Sequence, residues 1–212
     1  MSKQTICAVL TCYNRKEKTQ VCLENLYRAA ERIVDRARLR VIVTDDGSTD
    51  GTGEMLRTRF PAVEVIQGDG SLFWNGGMRL AFERALQESH DFYLWVNDDT
   101  DLFPDCLTQL LATHDMLTTQ YGRDGIVIGS TCNDQGELSY GGQNRNPGWR
   151  ALNYSCVTPN DTPMPCETFH GNCVLISAGA ARELGNLEQA FKHGMGDMDY
   201  GLRATRKGIP IW

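Results

Sequence analysis

A chain of 212 residues, 41% hydrophobic and 23% charged, has the composition of a folded domain of ordinary α/β size and not that of a disordered polymer. Its formal charge of -6 has the wrong sign for a general nucleic-acid binder, which excludes nucleic acid as the expected partner. No apolar run approaches the roughly 18 residues of a membrane helix, so no integral membrane segment is expected.

In chain order, Ile6 to Leu10 reads as a first strand. "RKEKTQVCLENLYRAAERI" follows, with Val21, Cys22, Leu26, Ala29 and Ile33 at helical spacing. Leu39 to Val43 predicts a second strand that runs into the turn-rich "DDGSTDGT". Glu54 to Arg59 predicts a short helix and "AVEVIQGDG" a third strand. Trp74 to Glu88 reads as a helix with Met78, Ala81, Ala85 and Leu86 on one side, and Phe92 to Val96 as a fourth strand. Pro104 suits a helix start because its φ is already fixed, and Leu107, Leu110, Leu111 and Leu117 follow it. Ile126 to Ser130 predicts another strand. Residues 131–169, rich in Gly, Pro, Asn and Ser, predict long loops or a hairpin. "CVLISAGAARELG" reads as strand then helix, "GDMDYGLRATRKG" as a helix with acidic residues in its first turn, and "IPIW" as a strand cut short.

This alternation predicts an α/β fold, a mostly parallel central sheet flanked by helices. Such sheets bind ligands beyond the carboxyl ends of their strands, near a topological switch point. "TCYNR", "DDGSTDGT" and "NDDTD" all fall at predicted strand ends, so they are expected to converge on one rim.

The eight cysteines include no CxxC pair, which argues against a zinc ribbon or a thioredoxin-type site. Cys7, Cys12 and Cys173 lie in apolar segments and read as small buried hydrophobes. "TICAVLTCYNR" is too short and too polar at its end for a signal peptide, and a reducing, cytoplasmic setting is expected.

"YLWVNDDTDLFPD" passes from core directly into carboxylates. Burying several carboxylates costs several kcal/mol each unless something compensates them. A hard divalent cation does so, and Mg²⁺ typically uses one or two carboxylates plus ligand phosphates. The alternative is a helix N-cap, which suits Asp101 better than Asp98 or Asp99. In "SLFWNGGMR", Asn75, Gly76 and Gly77 stand at a predicted helix start, where backbone N–H groups can approach a phosphate. Trp74 reads either as a stacking platform or as core beside Phe73. In "GMGDMDYGLR", Asp197 and Asp199 are either N-cap carboxylates or, at a loop-to-helix junction, a general base and its neighbour.

In this order, "VLTCYNR", "VIVTDDGSTDGT", "NGGMRLAFERAL", "YLWVNDDTDLFPD", "GNCVLI" and "GDMDYGLRATRKG" resemble the family-2 inverting glycosyltransferases, which have the GT-A fold. The resemblance spans nearly the whole chain; each motif is short, and the ordered set is specific. It implies a single GT-A catalytic domain over 1–212, with a nucleotide-binding half (1–130) and an acceptor-binding half (131–212). Thr11, Tyr13, Asn14 and Arg15 would line the nucleotide pocket, and one of Asp45 and Asp46 would accept from the nucleobase. "NDDT" matches the D-x-D motif, with Asn97 in place of the first Asp and Asp99 as ligand to Mn²⁺ or Mg²⁺; either Asn97 or Asp98 would meet the ribose. Asp197 matches the base of the "ED" motif, with Gly196 in place of Glu, and Asp199 would support it. His170 and Asn172 would lie on the acceptor side. The donor would be a UDP-, dTDP- or GDP-sugar and the acceptor a glycan or lipid-linked hydroxyl, met at the inner face of a membrane. "SLFWNGGM" with "NDDT" further resembles rhamnosyltransferase-like bacterial members that build surface polysaccharides.

Two other readings are weaker. A sugar-1-phosphate nucleotidyltransferase requires a glycine-rich loop after its first strand, and "TCYNRKEKT" has no glycine. A non-catalytic nucleotide-sugar-binding module would not need the acidic pair together with Asp197.

Overall fold

A computed structural model describes residues 3–150, 152–160 and 162–212. The first half runs β1 (Gln4–Cys12), α1 (Lys16–Glu31), β2 (Ala37–Asp45), α2 (Thr52–Arg59), β3 (Glu64–Gln67), α3 (Phe73–Leu86), β4 (Phe92–Val96), α4 (Cys106–Tyr121) and β5 (Ile126–Ile128). The second runs β6 (Thr131–Cys132), β7 (Leu138–Tyr140), β8 (Gly142–Arg145), β9 (Tyr154–Cys156), β10 (Thr168–Phe169), β11 (Cys173–Ser177), α5 (Ala178–Leu184) and α6 (Gly196–Arg206).

The main sheet has the order β3-β2-β1-β4-β11-β5. β3, β2, β1 and β4 are parallel, as the βαβ rhythm predicts, and β11 is antiparallel to both β4 and β5. The sheet is therefore mixed, and it draws one strand from the second half. Residues 131–169 hold more pairing than the expected loops or single hairpin. β6 and β7 form a hairpin, and β10, β8 and β9 form a small antiparallel sheet. Ile211, in the expected last strand, makes only an isolated parallel bridge to Ile126.

β1 and β2 each extend two residues beyond their apolar cores at both ends, because the ladder between them continues through Thr11↔Thr44 and Cys12↔Asp45. Alternate residues of β1 feed the two faces. Ile6, Ala8, Leu10 and Cys12 pack with α1, α2 and α4, while Cys7 and Val9 pack with α3, α5 and α6. On α1 the buried stripe is Thr19, Cys22, Leu23, Leu26 and Ala29. Val21, expected on that stripe, is exposed, since Leu23 completes the i, i+3, i+4 spacing instead.

α3 lies directly on β1 and β2. A Cβ on Gly77 would stand 2.0 Å from Thr11 Oγ1 and 2.8 Å from its Cβ, and Thr44 Oγ1 donates to the Gly77 carbonyl at 2.8 Å. Gly77→Ala should therefore destabilise the fold by about 1–3 kcal/mol through overpacking. That exceeds the roughly 1 kcal/mol of helix propensity that alanine gains. A lower urea midpoint is expected; an unchanged or higher midpoint would mean that α3 is not seated on Thr11.

Candidate active site

β1 hydrogen-bonds β2 on one side and β4 on the other, and the connecting helices α1 and α3 cover opposite faces of the sheet. The chain therefore diverges at the carboxyl ends of β1 and β4, which opens a crevice there. A cleft of about 390 Å³ fills it. Thr11, Cys12, Tyr13 and Arg15 line it from β1 and the following turn. Asp46, Gly70, Phe73 and Trp74 line it from the β2 end and the start of α3, and Asn97, Asp98 and Asp99 from the end of β4. A second cleft of similar size lies between α4 and residues 157–166; its lining is mainly apolar, with Asp105 its one carboxylate among the described residues.

Asp98 is buried. It accepts from Thr19 Oγ1 at 3.2 Å and faces Arg15 Nη1 at 3.5 Å. Asp99 is more exposed and lies 2.5 Å from the same Nη1. Burial pushes the Asp98 carboxyl up to about 6; the Asp99 charge adds to the rise, while Arg15 opposes it. No group of three or more His, Cys, Asp or Glu that could hold a metal occurs among the described residues. Two adjacent carboxylates at the mouth of a cleft nevertheless fit a hard cation such as Mg²⁺ or Mn²⁺ whose other ligands are phosphate oxygens and water. In this structure the Arg15 guanidinium supplies the compensating positive charge.

Trp74 links the acidic turn to the second half. Its indole Nε1 donates to Asn97 Oδ1 at 2.7 Å. Its ring edge abuts Gly171, where a Cβ would meet Trp74 Cζ2 at 2.6 Å. The Gly171 N–H in turn donates to Asp197 Oδ2 at 2.8 Å. Asp197 is the second residue of α6, and its Oδ1 accepts from the Met198 N–H at 2.8 Å. Asp197 is not among the residues that line the cleft; three contacts, by way of Trp74 and Gly171, join it to Asn97.

The other expected site residues fall into two groups. Asp46 lines the cleft, but its carboxylate accepts from the Gly70, Leu72 and Phe73 N–H groups at 2.8, 2.9 and 3.2 Å. Asp45 does not line the cleft and instead accepts from the Ser48 N–H at 3.0 Å. Asn14, with φ +51, ties two turns together: its N–H donates to Ser48 Oγ, and its Oδ1 accepts from the Thr49 N–H. Asn75, Gly76 and Gly77 are the third to fifth residues of the helix they are expected to open. α3 starts earlier, at Phe73, and Asp46 already takes the N–H groups there. Asn75 and Gly77 are buried inside the helix. Asp199 pairs with Arg203 Nε at 2.8 Å, within α6. The Asn172 carbonyl accepts from the Asn97 N–H at 3.1 Å, and His170 packs edge-on against Tyr140, with ring centroids 5.1 Å apart.

Trp74 reads in the sequence either as a stacking platform or as core; in the fold it lines the cleft and also packs, half-buried, against the core. Thr19, Gly70 and Gly171 carried no signal of their own, because each acts through a partner distant in sequence.

The raised carboxyl of Asp98 yields a pH prediction. Folding favours its protonated form, so this contribution is complete below about pH 4 and is lost as pH rises through about 6. Asp98→Asn should gain stability over the parent by up to about 3 kcal/mol at pH 7, and the gain should shrink toward pH 4. Urea titrations at several pH values check this; a pH-independent difference would show that Asp98 is ionised throughout.

The profile of Glycosyl transferase family 2 matches residues 7–185. No curated protein matches the chain by sequence. Among solved structures, the mannosyltransferase PcManGT from Pyrobaculum calidifontis in complex with GDP-Man and Mn²⁺ superposes with TM-score 0.63 at 16% identity, over 100% of this chain and 55% of that one. S. aureus TarS 1-349 in complex with UDP-GlcNAc superposes with TM-score 0.62 at 15% identity, over 98% of this chain and 56% of that one. The present chain thus spans little more than half the length of these proteins, and the likeness to them is one of fold. Among the described residues no helix is long and apolar enough to cross a membrane. With the family profile spanning most of its length and a GT-A sheet beneath the cleft, the chain belongs to glycosyl transferase family 2.

Proposed function

We propose that the chain is the catalytic domain of an inverting, divalent-cation-dependent glycosyltransferase. It would move a sugar from a nucleoside-diphosphate donor to a hydroxyl of a glycan or lipid-linked acceptor, on the cytoplasmic side of a membrane. The observation that carries this reading is the run of contacts that joins the acidic turn to Asp197, from Asn97 to Trp74 to Gly171 to Asp197.

The two centres suit different work because their surroundings differ. Asp98 and Asp99 face a cation, Arg15. Asp197 is held by two backbone N–H groups, one to each oxygen. Such an arrangement fixes the carboxylate and leaves it lone pairs for a proton. In the proposed reaction Asp197 takes the proton of the acceptor hydroxyl. The hydroxyl oxygen attacks the anomeric carbon from the face opposite the diphosphate, and the carbon–oxygen bond to the diphosphate breaks. Mn²⁺ or Mg²⁺ held by Asp99 beside Asp98 would supply Lewis-acid stabilisation of the departing diphosphate. Tyr13, half-exposed at the cleft wall, offers a ring face to the nucleobase. Asp46 is the acidic group within reach of the base.

GDP-Man with Mn²⁺ in one structural relative and UDP-GlcNAc in another support a nucleotide-sugar donor and keep the nucleotide open among UDP, GDP and dTDP. The rhamnosyltransferase-like resemblance places dTDP-rhamnose in the same test panel. His170 and Asn172 would meet the acceptor, with Asp199 supporting α6 through Arg203.

Asp99→Ala should abolish Mn²⁺-dependent binding of UDP or GDP in calorimetry; affinity equal to that of the parent would refute the ligand role. Asp197→Asn should lower turnover about 10²–10⁴-fold, the usual contribution of a general base, while nucleotide affinity stays within a few-fold. Full transfer activity in that variant would remove Asp197 from the mechanism. Release of nucleotide from the donor panel, with and without EDTA, separates an enzyme from a binding module.

A further inference from the structure

Asn75 and Gly196 compete for one space. Asn75 is fully buried in the first turns of α3. Its Nδ2 donates to the carbonyls of Glu188 at 3.0 Å and Phe191 at 2.7 Å, which fixes the orientation of the amide. Its Oδ1 has no hydrogen-bond partner among the described residues, and a Cβ on residue 196 would stand 1.7 Å from that oxygen. Gly196 opens α6. Met195 before it holds a left-handed φ of +70, and Asp197 follows it directly. Asn75 therefore does two things at once. It ties the segment before α6 to α3, and it fills the volume into which a side chain at 196 would project.

We infer that Asn75 is a positioning residue for Asp197, and that Asn75 and Gly196 are a matched pair in which the buried amide replaces a side chain at 196. The inference rests on the reading of Asp197 as the base. It accounts for the departure from the family's "ED" pattern at the position before the base: Glu cannot stand at 196 while Asn75 occupies its space. Asn75 does not line the donor cleft, so its loss acts on the alignment of Asp197 and not on donor affinity.

The test is a cycle of Asn75→Ala, Gly196→Ala and the double variant. In Asn75→Ala, amide exchange of residues 188–197 should quicken at least about tenfold, as expected for local release of a tethered segment, with β1, β4 and the acidic turn unchanged. Turnover of the active member of a panel of UDP-GlcNAc, GDP-mannose and dTDP-rhamnose should fall about 10–100-fold, the scale of a misplaced catalytic group. Donor KM and Mn²⁺-dependent UDP or GDP affinity should stay within about threefold. Gly196→Ala should be worse in thermal stability and exchange, and adding Asn75→Ala should restore both toward the Asn75→Ala level. Rescue of a misfolded Gly196→Ala by the second change is the same result in stronger form. Unchanged exchange in Asn75→Ala, or a double variant no better than Gly196→Ala, overturns the pair. Altered exchange with parental turnover overturns the positioning role. Parental turnover in Asp197→Asn overturns the base assignment instead and leaves the exchange result to judge the pair.

Discussion

The direction of one strand arranges the whole site. β11 runs antiparallel beside β4 with Cys173 opposite Val96, so the start of β11 lies at the end of β4. A parallel strand in that place would bring its other end to the rim. With this register the Asn172 carbonyl accepts from the Asn97 N–H and from Thr100 Oγ1, at 3.1 and 3.4 Å. Gly171, one residue earlier, is left free to donate its N–H to Asp197. Residues from the second half thereby meet carboxylates from the first without a long loop to carry them. Gly171 is the close-approach point: any side chain there would enter the Trp74 ring and separate the two centres.

The site is polar and strained, and the core beneath it is aromatic and well packed. Tyr200, three residues after Asp197, is fully buried, with its ring 4.8 Å from that of Trp95 and 6.2 Å from that of Phe82. Trp95 and Phe82 meet edge-on at 5.3 Å. Such contacts anchor α6 to both β4 and α3. Arg203 lies over the Tyr200 ring at 4.9 Å, pairs with Asp199 and donates to the carbonyls of Leu184 and Asn186. Asp199 thus helps to hold the helix that presents Asp197. The non-glycine residues with positive φ among those described are Asn14, Phe73 and Met195, and each flanks the cleft or the start of α6. Strain of roughly 1–3 kcal/mol at such a residue persists only where the surroundings enforce it. Here the enforcing contacts are side chain to backbone, as at Asn14, and aromatic, as between Phe73 and His193 with centroids 3.9 Å apart.

What was legible in the sequence followed from local pattern. Phe92 to Val96 is apolar throughout because it is buried on both faces, and its assigned range matches the observed β4. The polar clusters at strand ends did converge, because parallel strands share a direction. Long-range choices left no such mark. "CVLIS" reads the same whether the strand runs parallel or antiparallel. The role of Asp46 depends on backbone N–H groups 24 to 27 residues away, and backbone donors have no side-chain signature. A glycine pair near a helix start suits a phosphate or a neighbouring sheet equally well; in the fold Gly77 lies against Thr11 of the sheet. Phe73 and Trp74 are adjacent aromatics, and nothing in that pair announces the left-handed turn at Phe73.

The same geometry bears on how donor and cation would arrive under the proposed reading. Arg15 Nη1 stands 2.5 Å from Asp99 Oδ2, within the radius that a divalent ion would need on that oxygen. Two positive groups cannot share that position in a half-buried site without strong repulsion. A cation held by Asp99 would take over the carboxylate contact that Arg15 makes and leave the guanidinium without it. The oxygens of a donor diphosphate would offer the displaced guanidinium a new partner. Asp99 would then hold the cation and Arg15 a donor phosphate. Burial raises the Asp98 carboxyl to about 6, and a cation held by Asp99 would favour its ionised form. The charge at the end of a core strand is, on this account, half of a pairing that the donor would complete.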